Sequence, residues 1–207
     1  MNLNHKVILA VFMAFAAILP SQAQSAKKIH EQMHSQLLSN AKNTIDKSAL
    51  QEYIKREIEV KEQKVGQYEG LSEESMALIT DLLDEASTHL GKKYVYGSKG
   101  PNTFDCSGFT SYVYNQFGYK ITSSSRGQYT LGDGVSKNHL RPGDLVFFQG
   151  RSGTGGVGHV GIVVKADNEK GTFRFIHASV SNGIRYSENT ETYYAKRYIG
   201  ARRIITE

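Results

Sequence analysis

Asp105-Cys106-Ser107-Gly108-Phe109-Thr110-Ser111-Tyr112-Val113-Tyr114-Asn115-Gln116-Phe117-Gly118 is the stretch that decides the architecture. Phe109, Tyr112, Val113 and Phe117 recur at helical steps, Asp105 stands where an N-cap belongs, and Gly118 supplies the stop. The only cysteine of the chain therefore opens a helix. Downstream the pattern changes. Arg141-Pro142-Gly143-Asp144 is a turn signal leading to the apolar run 145–148, followed by runs 159–164 and 173–177, each of strand length and rich in β-branched or aromatic residues. Residues 197–205 read as a last strand. Helices first and strands afterwards predict an α+β fold with a small antiparallel sheet.

Upstream of the cysteine, Ser72 followed by Glu73 and Glu74 predicts a capped helix start. Met76, Ile79, Leu83, Ala86 and Leu90 form its apolar positions, and Gly91 ends it. Residues 27–65 contain neither Pro nor Gly. Ile29, Met33, Leu37, Ala41, Ile45, Ala49, Ile54 and Ile58 recur there among many charges, which predicts one or two amphipathic helices. Further back, the apolar run 7–19 behind Lys6, with Pro20 and Ser21-Gln22-Ala23 after it, reads as a signal peptide. The expected organisation is a signal peptide at 1–23, a helical accessory segment at 24–70 and one catalytic domain at 71–207.

Composition narrows the class. At 207 residues, 39% hydrophobic and 22% charged, the chain is neither wholly disordered nor a multi-span membrane protein. Charge is split along it. Residues 24–90 hold eight Lys and Arg against twelve Asp and Glu, whereas 91–207 hold sixteen against eight. For an exported protein, such a basic body suits an anionic wall polymer or membrane surface better than nucleic acid. The expected location is the periplasm, or the extracellular face and cell wall. No lipid anchor is implied, because the lone cysteine lies deep in the body.

A single thiol in an exported chain cannot form an internal disulfide, so Cys106 asks for another explanation. A helix N-terminus favours a thiolate through its free N–H groups and dipole, and the same groups can face an oxyanion. A base is still required. His5, His30, His34 and His89 read as solvated. In run 159–164, alternation puts His159, Gly161 and Val163 on one face; in run 173–177, Phe173, Phe175 and His177 share a face. With residues 165–171 as the hairpin loop and Val164 paired to Thr172, His159 falls opposite His177. The expected triad is Cys106, His159 and His177, with His159 as base and His177 as its orienter. His139, just before a turn, is a weaker candidate for either role.

Several blocks, taken in order, resemble the NlpC family of bacterial cell-wall cysteine peptidases. They are Tyr94-Val95-Tyr96-Gly97, Phe104-Asp105-Cys106-Ser107-Gly108-Phe109, Arg141-Pro142-Gly143-Asp144-Leu145-Val146-Phe147-Phe148, Gly158-His159-Val160-Gly161-Ile162 and Phe175-Ile176-His177-Ala178-Ser179. The resemblance covers about residues 76–205. It implies a papain-like fold and hydrolysis of peptidoglycan stem peptides, typically between γ-linked D-glutamate and a diamino acid. It also implies that Tyr94 reaches the active site to help the thiol or oxyanion, with Asp105 and Ser107 beside it on the substrate side. Lys93 and Ser98 depart from the family's frequent Pro and Gly. The helices at 27–68 have no counterpart, and a contact with another protein or with a second copy is expected of them.

Other readings compete. A silent wall-binding or scaffold module would keep the fold without the reaction, and an amidase or acyltransferase on a non-wall amide would keep the reaction with another substrate. A zinc site from Cys106, His159 and His177 lacks Cys-x-x-Cys or His-x-x-x-His spacing. Gly153-Thr154-Gly155-Gly156-Val157-Gly158 fits a dinucleotide fingerprint, but a strand comes after it where a helix is required. No cofactor or metal is expected.

Overall fold

The structure, a computed structural model, describes residues 48, 51–58, 68, 71–150 and 155–206. The expected signal peptide lies outside the described residues, as does most of the predicted accessory segment. Residues 48 and 51–58 are helical, with Ile54 and Ile58 buried. The chain divides between Gly66 and Gln67 into two units, and the second carries Cys106, His159 and His177.

Two long helices of this second unit, α1 (Glu73–Thr88) and α2 (Cys106–Gln116), come before the sheet. Ser72 caps α1 by accepting from the Ser75 N–H, with Glu73 and Glu74 in the positive first turn. The buried face of α1 is Ser75, Ile79, Leu82 and Ala86, so Leu82 takes the place predicted for Leu83, and Leu90 is exposed. Both rows step by three and four; packing against α2 selects the one that carries on into His89. That histidine is not solvated as expected. It is buried, with Nε2 3.0 Å from Glu85 Oε1 and Nδ1 accepting from Lys92 Nζ at 2.7 Å, and meets Phe104, Phe109 and Tyr112 edge-on.

Short elements come next: α3 (Ser125–Gln128), β1 (Asp133–Val135) and a 3₁₀ turn (Lys137–His139). The sheet continues with β2 (Leu145–Gln149), β3 (Val157–Asp167), β4 (Thr172–Ser179) and β5 (Gly183–Glu188). A one-turn helix α4 (Thr192–Ala195) leads into β6 (Tyr198–Arg203). The six strands are antiparallel in the order β1-β6-β2-β3-β4-β5. The fold is α+β, as predicted.

Both faces of the sheet are covered, which is why β2 is an unbroken apolar run rather than an alternating one. Leu145, Phe147, Val160, Ile162, Ile176 and Ala178 face α1 and α2. Val146, Phe148, Val163, Phe173 and Phe175 form a second core with Tyr194. Helix α2 is pinned to the turn before β2 by Tyr114, whose hydroxyl donates to the Gly143 carbonyl. Asp144 of that turn, its side chain 1% exposed, accepts from Arg203 Nε and Nη2, both at 2.8 Å.

The β3–β4 register differs from the expected one. The strands are longer than their apolar runs, the connection shrinks to residues 168–171, and Asp167 rather than Val164 pairs with Thr172. After a bulge between Val163 and Lys165, Ile162 pairs with Ile176, and the same register carried back places Gly161 opposite His177. His159 is thus two residues off the predicted position. Because the shift is even, it stays on the predicted face.

Candidate active site

Two backbone segments form the seat of Cys106. Residue Asp105 caps α2: its Oδ1 accepts from the Gly108 N–H at 2.6 Å, and its Oδ2 accepts from the Gly97 N–H at 2.9 Å. One carboxylate thereby ties the start of the helix to the segment that carries Tyr94. Gly108 makes the close approach feasible, since a Cβ there would lie 2.1 Å from the Ser98 carbonyl oxygen. The Ser107 hydroxyl proton is shared between the Ser123 carbonyl at 2.9 Å and Asp105 Oδ1 at 3.2 Å. Asp105 and Ser107 are both spent on shaping the turn that holds the nucleophile.

Cys106 is buried, at 8% exposure. Backbone N–H groups of Ser107, of Val160 and of Cys106 itself favour its thiolate. The Val160 amide brings the sulfur against β3 one residue from His159, a contact no sequence pattern reveals. Yet the thiol is not lowered overall, as its place at the helix start predicted. Burial, followed by the charge of Asp105, outweighs the amides and pushes it up to about 11.

His159 Nε2 lies 2.9 Å from His177 Nδ1. The offset strand register makes this reach possible: Gly161, opposite His177, leaves open the space the two rings use. A Cβ at Gly161 would come within 3.1 Å of His177 Cβ and 2.6 Å of the Phe175 ring. Burial lowers His159 to about 4. His177 is fully buried and is held well below its ordinary range by that burial, then by His159 and Arg185. Both imidazoles are therefore neutral at neutral pH, and the thiol is protonated.

His177 Nε2 has two further neighbours, Ser187 Oγ and Tyr194 Oη, each at 3.2 Å. Sequence reading missed both. Ser187 had a usable signal, because Ile184 and Tyr186 alternate with Arg185 and Ser187 as an edge strand does. Tyr194 had none, since it sits on a single turn of helix. Tyr94 comes close enough to Cys106 and Asp105 for their charges to act on it; burial first, then those charges, push its phenol up to about 12, so it stays an O–H donor. His139 lies in the 3₁₀ turn with Nδ1 at 2.6 Å from Ser136 Oγ and takes no part in the His159–His177 pair. The dinucleotide reading set aside from the sequence meets β3, a strand beginning at Val157, where a helix would have to start.

A thiol at a helix start, packed on an antiparallel sheet that presents paired imidazoles, defines an α+β domain of the papain-like class. The chain belongs to the NlpC/P60 family, which it matches over residues 91–203. It is similar to the probable endopeptidase p60 of Listeria grayi, with 48% identity over 93 residues, 45% of this chain and 18% of that protein. Similarity to the murein DD-endopeptidase MepS/murein LD-carboxypeptidase of Escherichia coli K12 is 37% over 126 residues, 60% of this chain and 62% of that one. The matched stretch thus spans about a fifth of the Listeria protein and somewhat under two thirds of the E. coli one. Among solved structures, an NlpC/P60 family protein from Bacillus cereus superposes with a TM-score of 0.56 at 31% identity, covering 61% of this chain and 40% of that one. The NlpC/p60 domain of the peptidoglycan hydrolase SagA gives 0.50 at 29% identity, covering 60% of this chain and 97% of that domain.

Proposed function

We propose that this protein is an exported cysteine endopeptidase that cuts peptidoglycan stem peptides, with Cys106 as nucleophile, His159 as base and His177 as the orienter of that base. The observation that supports the reading is that the Cys106 sulfur sits at the start of α2 under the Ser107 and Val160 N–H groups, so that it meets β3 one residue along from His159, whose ring pairs with His177. The chemistry stems from neutral partners. With His159 Nε2 turned to His177, Nδ1 is the nitrogen left for the thiol proton. As that proton moves, sulfur bonds to the peptide carbonyl carbon and the C=O π pair moves onto oxygen. The helix-start N–H of Cys106 and the Tyr94 hydroxyl face this oxyanion. Collapse breaks the C–N bond, the imidazolium returns its proton to the leaving amine, and water then hydrolyses the thioester.

Asp105 and Ser107 enter this scheme as residues that hold the nucleophile's turn rather than as oxyanion donors, because a carboxylate would repel developing negative charge. The bond we assign is the one between γ-linked D-glutamate and a diamino acid. Cleavage of a D,D cross-link is the second reading, favoured by similarity to a protein named murein DD-endopeptidase. We further propose residues 1–23 as a signal peptide, 24–70 as a helical segment contacting another protein or a second copy, and 71–207 as the peptidase domain. Export would place the protein in the periplasm or cell wall.

Digestion of purified wall material followed by mass spectrometry tests the proposal. Release of dipeptide from the stem supports the assigned bond, and loss of cross-linked dimers alone supports the second. Cys106→Ala abolishes either product with the fold kept. Equal product from both proteins would overturn the enzyme reading, as unchanged wall beside a consumed lipid amide would overturn the substrate. A chain lacking residues 24–66, run alongside for turnover and oligomeric state, shows whether the segment makes the contact; no change in either removes that part.

A further inference from the structure

Helix α3 joins the element that carries the nucleophile to the element that carries the base. On one side Gln128, fully buried, donates from Nε2 to the Ser107 carbonyl at 3.1 Å and to the Thr122 carbonyl at 2.6 Å, while its Oε1 accepts from the Thr110 hydroxyl at 2.8 Å. Both N–H groups and the oxygen of that amide are used, which fixes α3 to the first turn of α2. On the other side Arg126 Nε donates to the Val157 carbonyl at 3.3 Å, two residues before His159 on β3. Val157 and Val160 pack in one core cluster with Cys106, so the guanidinium is tied to the stretch of strand that meets the nucleophile.

That bond uses one of the five N–H groups of the guanidinium. Arg126 is exposed, and among the described residues no carboxylate pairs with it. With Nε anchored, the outer edge formed by Nη1 and Nη2 stays available for a bidentate partner. The proposed substrate offers such partners. A γ-linkage leaves the α-carboxylate of D-glutamate unbonded, about 5 Å from the scissile carbonyl carbon along an extended chain. A diamino acid whose side chain ends in a second amino-acid group, as diaminopimelate does, sets another carboxylate about 7 Å from the leaving nitrogen. Val157 lies about 6.6 Å from His159 along β3, within the same range. His159 and His177 are neutral, Tyr94 is an O–H donor and Asp105 brings acceptor oxygens, so none of these supplies a positive charge to either carboxylate.

We propose that Arg126 receives a carboxylate of the stem peptide beside the scissile bond and thereby sets which stems are cut. The inference rests on the Cys106–His159–His177 reading above and deepens it by naming a specificity-determining residue of the same site.

Three tetrapeptide stems test it: one with both carboxylates, one with the D-glutamate α-carboxylate amidated, and one with the side-chain carboxylate of the diamino acid amidated. Wild-type protein should cut the first about tenfold better in kcat/KM than one of the amides, with the difference in KM. Arg126→Gln should bring that ratio close to one, and Arg126→Lys, which keeps a charge without the fork, should fall between. The amide whose ratio collapses names the carboxylate. A wild-type ratio under about twofold for both amides would overturn the inference. So would a loss in Arg126→Gln that falls equally on all three stems, because a residue that only fastens α3 to β3 cannot tell an acid from its amide. Calorimetry of the same stems on Cys106→Ala, with and without Arg126→Gln, reads the preference without turnover; equal affinity for acid and amides there also refutes it. Activity retained in Cys106→Ala would instead remove the triad, with the calorimetry still deciding the role of Arg126.

Discussion

Alkylation of Cys106 by iodoacetamide across pH tests the electrostatic balance at the nucleophile. The thiolate is the reacting species, so the rate follows its population. Burial and Asp105 move the thiol from its ordinary 9.0 to about 11, against the pull of three backbone N–H groups. Each unit is worth about 1.4 kcal/mol, so the thiolate costs nearly 3 kcal/mol more than in a free cysteine and its population at neutral pH falls about 100-fold. The assay is loss of free enzyme, followed by intact mass, from pH 5 to 10. The rate should climb about tenfold per pH unit up to at least pH 9.5 and change little in His159→Gln. In parallel, kcat/KM should hold to well below pH 6 before falling, because burial lowers His159 to about 4 and it remains an unprotonated base until then. A rate plateau between pH 5 and 8 that disappears in His159→Gln would reveal a resting thiolate–imidazolium pair. The reasoning that desolvation beats the helix start would then be refuted.

Two further perturbations probe the frame around the site. Gly161→Ala puts a methyl 2.6 Å from the buried Phe175 ring and 3.1 Å from His177 Cβ, so it should cost about 1–3 kcal/mol in urea unfolding and cut kcat by displacing His177; wild-type values for both would show that the space is not needed. Arg203→Ala strips a buried carboxylate, Asp144, of its bidentate partner and should cost about 3–5 kcal/mol, whereas a Tm within a degree or two of wild type would show that Asp144 is not held as a paired charge.

Much of the fold is legible in the chain because its signals are local. Ser72 and Asp105 announce helix starts through short polar side chains that cap, and β2 announces its central place by being apolar on both faces. Elements without such signals stay hidden: β1 is three residues long and α4 a single turn. His89 misleads for a related reason. Its neighbours in sequence are polar, but its neighbours in space are Phe104, Phe109 and Tyr112, supplied by the loop before α2 and by α2 itself.

By itself the sequence determined that a lone thiol heads a helix and that two histidines share one face of adjacent strands, because capping and a two-residue alternation depend only on neighbours along the chain. Tertiary structure alone decided the short connection and the one-residue bulge that together leave the strand pair two residues from the expected register, the Val160 amide on the sulfur, and the hydroxyls of Ser187 and Tyr194 behind His177. It also reversed the sign at the thiol. A helix start is written in the chain, but the water removed from around a side chain is fixed only when distant segments close over it.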